Sequence, residues 1–369
     1  MEIIMAYYKL NVAEVRKYCE DIYKNHGFTE EEARGITDVV LCADLYGIES
    51  HGVQRMIRYH DSITGGHVDP KARMEIVFET PVSAVIEANR TMGQVTARKA
   101  MQMAIDKAKQ HGFGMVTVRN CNHYGIAGYY SRMAGDEDMI GFSSTNTEAI
   151  AIPTFGKKAM LGTSPLAVCM PADPYYFWFD AATTVVPRGK VEVYNKRGEP
   201  LHEGWAADET GHISTDAQHV LDLINAKDFG GIFPLGGMTK DTGSHKGYGF
   251  GIIAELFTGI LAGGHTSPHV ENGGMGDTSF GFAAIDYGIF GDKKEIRANM
   301  STLLRELRES PTADGQERVY TPGEQAMLSR EDRLANGIPV NDKTVDELKM
   351  IGEYVGLKFE DYIRDIRPV

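Results

Sequence analysis

Cysteine is scarce. Four occur in 369 residues (Cys19, Cys42, Cys121 and Cys169) with no CxxC spacing, so neither a disulfide framework nor a thiolate metal knuckle organises the chain. Thiols this sparse fit a reducing compartment, with the cytoplasm as the default. Long apolar runs are missing too. No stretch approaches the ~20 apolar residues of a membrane helix, and the opening MEIIMAYYKLN has neither the basic nor the apolar region of a signal peptide. Positive charge is in deficit: 38 Lys and Arg stand against 51 Asp and Glu, a net −13. No basic run offsets it locally, which excludes nucleic acid and anionic membrane as partners. Several catalytic signatures are also lacking. No GxGxxG follows a strand pattern, and the nearest fragment, Gly247-Tyr-Gly249-Phe-Gly251, has the wrong spacing. HExxH and GxSxG do not occur. His265 and His269 flank a proline and lack carboxylate or thiol neighbours at ligand spacing, so no metal site is expected.

What is present is a large apolar fraction, 42%, enough for a sizeable core in two domains or lobes. Asn11-Val-Ala-Glu14 and Thr29-Glu-Glu-Glu32 read as capping boxes. Behind them Val15, Tyr18 and Ile22, then Ile36, Val39, Val40 and Ala43, fall at helical spacing. ESHGVQRMIRYHDSITGG predicts a third helix ended by Gly65-Gly66. From about residue 75 the pattern changes to short β-rich runs: SAVIEA, GMVTVRN, MIGFSSTN, PLAVCMPA and FWFDAATT. The long helical stretch MGQVTARKAMQMAIDKAKQHG lies between the first two, so the alternation indicates an α/β lobe. SHKGYGFGIIAELFTGILAGG predicts a glycine-rich entry into a buried helix, and SFGFAAID a further strand. After about residue 295 the pattern is helical again. The expected division is a helical domain of 1–74 plus 296–369 and an α/β domain of 75–295.

Five segments are suited to chemistry. In ESHGVQR, a helix capped by Ser50 would put His51 in its first turn and Arg55 four residues on, along one face. Such a pair suits an α-hydroxy or α-keto carboxylate: Arg holds the carboxylate through two parallel hydrogen bonds and His exchanges a proton at the oxygen. A cap, a surface histidine and a salt bridge fit the same residues. RNCNHYGIAGYYSRMAG leaves a strand and enters a helix, where α/β proteins bind ligands; its His123 reads as a base, as a donor to a cofactor, or as a loop histidine bonded to backbone. Asn146, Thr147 and Gly162-Thr-Ser-Pro165 lie at strand ends, as hydrogen-bond donors or ordinary turn formers. Asp180, ending an apolar strand, either orients a histidine or hydroxyl or caps the helix that follows. Lys246, in a glycine-rich helix start, suits phosphate.

In this order the segments resemble the malate/L-lactate dehydrogenase family of the second type, which includes ureidoglycolate, sulfolactate and piperideine-2-carboxylate oxidoreductases. The resemblance runs over nearly the whole chain, through ADLYGIESHGVQR, RNCNHYGIAGYY, LGTSPLA, FDAATTVVPRGK, RGEPLHEGWA, PLGG, HKGYG, FAAID and YTPGEQ…R…GIPV. It implies a non-Rossmann α/β NAD(P)-binding lobe, a helical domain formed by both chain ends, and a homodimer. By position, Ser50 and His51 match catalytic residues and Arg55 the substrate-binding arginine. His123 matches a second histidine, catalytic in one branch and part of the cofactor site elsewhere. Asp180 matches the aspartate of a relay with the serine. Thr147, Asp180, Ala181, Ala182, Lys246 and His123 match cofactor-contacting positions. The implied reaction is hydride transfer between NAD or NADP, NAD ahead, and a 2-hydroxy acid of malate or lactate type; a ureidoglycolate or cyclic-imine oxidoreductase is the alternative. His51 is the expected acid/base, with His123 as its rival. The chain departs from the family at Ser279-Phe280, where many members have Gly-His, at GTSP for GTNP, and at DAA for DMA. For a 2′-phosphate, Arg188, Lys190, Lys196 and Arg197 are the candidate cations.

Overall fold

The computed structural model describes residues 6–271 and 275–369. β1 (Tyr7–Leu10), α1 (Val12–Asn25), α2 (Glu30–Leu45) and α3 (Met56–Thr64) lead into β2 (Glu75–Glu79), β3 (Ser83–Glu87), α4 (Gly93–His111), β4 (Phe113–Cys121), α5 (Ala127–Asp136), β5 (Ile140–Thr145), β6 (Leu166–Met170) and β7 (Phe177–Ala181). A small subdomain follows: α6 (Arg188–Arg197), β8 (Ala206–Ala207), β9 (Ile213–Ser214), α7 (Ala217–Ala226) and β10 (Gly231–Ile232). The chain continues through α8 (Ser244–Glu255), β11 (Thr278–Ile285) and α9 (Lys293–Glu309). It returns through α10 (Glu324–Asn336), β12 (Ile338–Asn341), α11 (Asp342–Tyr354), α12 (Phe359–Tyr362) and β13 (Ile366–Pro368).

The two chain ends share one core. Val15, Tyr18 and Ile22 of α1 pack with Ile36 and Val40 of α2 and with Leu348 and Ile351 of α11, all but sealed from solvent. The Tyr18 hydroxyl, buried by this packing, donates to the Leu348 carbonyl at 2.9 Å. Thr29 and Glu32 form the full capping box expected of α2. At α1 only half of one forms. Asn11 accepts from the amides of Ala13 and Glu14, while the Glu14 carboxylate turns to the amides of Arg364 and Asp365 at 3.0 and 3.2 Å. A tertiary contact has replaced the local one. The ends also meet in a small antiparallel sheet, β12-β1-β13, which the helical patterns around it did not announce.

The central sheet has the order β2-β3-β4-β11-β5-β6-β7. Only β3 and β4 pair in parallel, joined by α4 as a crossover; the other neighbours are antiparallel. β11 lies between β4 and β5 and runs against both, so those two strands point the same way and their carboxyl ends share one rim of the sheet. β6 and β7 alternate, which brings the start of β6 and the end of β7 to that rim as well. Ligands of α/β sheets bind at such a rim.

α8 departs from the expectation of a buried helix. Its glycine and alanine face packs on the sheet lobe, and at Gly247 a Cβ would fall 2.2 Å from the Leu235 carbonyl oxygen. The opposite face, which includes Phe250 and Ile253, is apolar and exposed, and so, to 56%, is Ile260 in the π-helical turn Leu256–Ile260 that continues the helix. Apolar composition all round is what suggested burial; in this chain only one side is covered.

Candidate active site

The ESHGVQR segment does not enter an α-helix at Ser50. It makes two short 3-10 turns, Glu49–His51 and Val53–Arg55, with Gly52 between them, and α3 begins only at Met56. The cause is Asp44, whose buried carboxylate accepts the Val53 amide at 2.8 Å and draws the chain back towards α2. Gly52 is required there, since a Cβ would fall 1.9 Å from Asp44 Oδ1. Ser50 therefore caps nothing. Its hydroxyl lies 2.9 Å from Nδ1 of His51, and the Arg55 Nε donates to the Ser50 carbonyl at 2.9 Å.

His123 reaches the same place from the sheet. It follows the carboxyl end of β4, in a loop fixed by the Asn122 amide, which donates to the carbonyls of His67, Arg90 and Thr91 at 3.0–3.2 Å. The His51 and His123 rings lie nearly parallel with centroids 5.4 Å apart. The buried Tyr59 hydroxyl is 2.9 Å from Nδ1 of His123, and Arg58 lines the same small cavity as Tyr59 and His123. Ser50, His51, Arg55 and His123 thus converge from two distant segments. Arg58 and Tyr59 join them, and neither was singled out in the sequence. Their spacing could have found them, because residues three and four beyond Arg55 share its helix face.

Electrostatics keep both imidazoles neutral. Burial, then the cations Arg55 and Arg58, lower the His51 pKa to about 3. Burial, then Arg58, His51 and Arg55, hold His123 well below the ordinary value. Arg58 is itself lowered by burial and by Arg55, and burial raises Tyr59 to about 12. In the tautomer that directs Nδ1–H at Ser50, His51 leaves an Nε2 lone pair to take a proton. The cluster can grip an anion and accept a proton from it.

Asp180, at the end of β7, accepts the Gly128 amide at 2.7 Å and so caps α5. That helix precedes it in the chain; α6, the helix that follows, has no side-chain cap. Burial pushes its pKa up to about 6. Among the described residues no hydrogen bond joins Asp180 to Ser50 or His51, so the structure contains no direct contact of the relay. Thr147 follows β5 and its hydroxyl accepts the Thr163 amide at 3.1 Å. The Thr163 carbonyl accepts from Thr183, just beyond Ala181 and Ala182, and the Thr183 carbonyl accepts from Leu235. Gly247 packs on Leu235, next to the exposed Lys246 in the first turn of α8. These bonds link the segments that carry Thr147, Asp180, Ala181, Ala182 and Lys246. Asn146 is used structurally: its amide bonds the His265 carbonyl, Glu255 and the Ser279 amide.

A family model described as malate/L-lactate dehydrogenase matches residues 10–349. The chain belongs to this family. A malate dehydrogenase of Pyrococcus abyssi is 42% identical over 334 residues, 90% of this chain and 91% of the relative. An L-sulfolactate dehydrogenase of Methanocaldococcus jannaschii is 36% identical over 94% of this chain and 97% of its own. The crystal structure of malate dehydrogenase from Entamoeba histolytica superposes with a TM-score of 0.91 at 33% identity, covering 95% of this chain and 98% of that one. The chain is accordingly a 2-hydroxyacid dehydrogenase of the malate/L-lactate dehydrogenase family, and the family implies a nicotinamide cofactor. Among the described residues no helix is long and apolar enough to cross a membrane.

Proposed function

We propose that the protein interconverts a dianionic 2-hydroxy acid and its 2-oxo acid, with malate and oxaloacetate as the pair. The observation that carries this is the presence of two guanidiniums, Arg55 and Arg58, around two neutral imidazoles. One cation suffices for a monocarboxylate such as lactate; a second, half-buried one suits a second anionic group. Arg55 takes the C1 carboxylate and Arg58 the distal one. His51 Nε2 accepts the hydroxyl proton during oxidation, and His123, braced by Tyr59, orients that oxygen. The substrate's charge offsets the two arginines, so an imidazolium becomes favourable only with substrate bound, and the same ring then returns its proton in reduction.

The nicotinamide cofactor supplies the hydride acceptor or donor. The residues present fit it: Ala181 and Ala182 are small, Lys246 offers an exposed cation at a helix start, and Gly249 has open space where a Cβ would sit. Thr147, Asp180, Ala181, Ala182, Lys246 and the edge of His123 would hold it. NAD is the proposed form, since Arg188, the first candidate for a 2′-phosphate, is engaged by Glu192 at 2.9 Å and Glu148 at 3.6 Å. The protein acts in the cytoplasm, in keeping with four unpaired cysteines, and as a homodimer that covers the exposed face of α8. Replacing Ile253 and Ile260 by charged residues should release protomers, read as the mass in solution; an unchanged mass places the interface elsewhere.

The functional test is a steady-state panel of oxaloacetate, pyruvate, glyoxylate and a cyclic imine with NADH and NADPH. Oxaloacetate with NADH should give the highest kcat/KM. Preference for pyruvate, or for the imine, contradicts the proposal.

A further inference from the structure

We propose that Asp44, Glu49 and Arg333 are positioning residues that fix where His51 and Arg55 point, acting on the catalytic turn from behind. This rests on the assignment of His51 and Arg55 to the substrate. Two consecutive 3-10 turns are a weak local structure, with poor hydrogen-bond geometry and little to hold them beyond three or four residues. Something outside the turn must hold it. Asp44 does so on one side through the Val53 amide. On the other side Arg333, in the last turn of the returning helix α10, donates to the Asp44 carbonyl at 2.5 Å and pairs with Glu49 at 2.7 Å. One guanidinium therefore bridges the residue that anchors the turn and the residue that opens it. The Arg333 side chain is only 15% exposed, so this fork is more than a solvated surface pair. Burial pushes the Asp44 carboxyl up to about 8; the Val53 amide, and then Arg333, act the other way without cancelling that burial.

The other end of α10 is tied to the sheet. The Trp178 amide donates to the Pro322 carbonyl at 3.2 Å, and Gly323 packs so closely that a Cβ would fall 2.8 Å from Trp178. Trp178 lies two residues before Asp180 on β7 and its indole donates to the Gly128 carbonyl at 2.8 Å. One helix thus references the His51 turn, from the terminal helices, to the rim of the sheet where His123 stands. The two halves of the acid/base cluster are set against each other by a segment that touches neither.

Arg333→Ala, Arg333→Lys, Asp44→Asn and Glu49→Gln separate this role from plain structural support. With oxaloacetate and NADH, Arg333→Ala should lose about 10²-fold in kcat, the cost of a small displacement of catalytic groups. Its NADH affinity and melting temperature should stay close to the parent's. Added guanidinium ion, below denaturing concentration, should restore part of that kcat, and should not raise the parent's. Arg333→Lys should recover less than guanidinium does, because an ammonium cannot span both acceptors. An Arg333→Ala enzyme with parental kcat overturns the proposal, as does one whose activity, NADH binding and melting temperature fall together without rescue. If Arg333→Ala does not fold, Asp44→Asn and Glu49→Gln decide, and parental kcat in both overturns it. A parent enzyme inactive towards every 2-oxo acid would instead remove the functional assignment on which this role depends.

Discussion

His51→Ala is expected to lower kcat by about 10²–10⁴-fold in both directions, the usual contribution of a general acid/base. Oxaloacetate should still bind, because Arg55 and Arg58 remain, so the loss should fall on kcat far more than on KM. His123→Ala is the comparison that matters. The two rings are 5.4 Å apart and both are depressed by the same cations, so geometry alone leaves them as neighbours with similar chemistry. They differ in their partners. His51 is held by the exposed hydroxyl of Ser50, from which a proton can pass to water, whereas His123 is held by the buried hydroxyl of Tyr59. Proton exchange with solvent is easier from the first, and His123→Ala should therefore cost less in kcat. The reverse ranking would exchange their roles, and small losses in both variants would mean that neither imidazole transfers the proton.

Replacing Arg58 by Leu should change selectivity more than any other single substitution. A hydrogen-bonded interaction with a charged group is worth about 1.5–3 kcal/mol, which corresponds to about 10- to 150-fold in kcat/KM. That loss should appear with oxaloacetate and be largely absent with pyruvate, which has no distal carboxylate to lose. A second consequence has a definite sign. Arg58 is among the causes that lower both imidazoles, so its removal raises their pKa values, and the acid limb of the oxidation profile should move to higher pH. Equal losses with oxaloacetate and pyruvate would place Arg58 on the common part of the substrate. No loss with either would remove it from the site.

Much of this was legible in the sequence, and the reasons differ from place to place. α4 was plain because its apolar positions repeat at helical spacing and Gly112, left-handed at φ 78°, ends it. β3 to β7 were plain because β-branched and aromatic residues crowd into short runs between turns. The insertion of β11 between β4 and β5 was not, since nothing in a strand's own residues names its neighbours. β1 pairs with β12 and β13, more than 300 residues away, and strands of three or four residues carry too little pattern to announce themselves. At the site, Ser50, His51, Arg55 and His123 were marked by composition and by the family resemblance, and the structure places them together. A serine before an apolar helix looks like a cap, but at Ser50 the carboxyl group of Asp44 six residues earlier overrides that local preference. Asp180 reads from the sequence as a cap or an orienting group, and the helix it caps lies upstream rather than downstream. Arg58 and Tyr59 were visible in retrospect at the spacing of a single helix face.

The central claim is physical: burial, reinforced by two guanidiniums, holds a pair of imidazoles uncharged until a dianion arrives. It is tested most directly by following the histidine ¹⁵N resonances against pH, in the free enzyme and in the enzyme saturated with NADH and oxalate, a dianion that cannot be reduced. In the free enzyme His51 and His123 should remain neutral well below the ordinary histidine value of about 6.5, His51 down to about 3. With oxalate bound, one of them should become protonated near neutral pH. If both instead titrate near the ordinary value in the free enzyme, and oxalate leaves them unmoved, burial and the guanidiniums do not govern this site and the account is wrong.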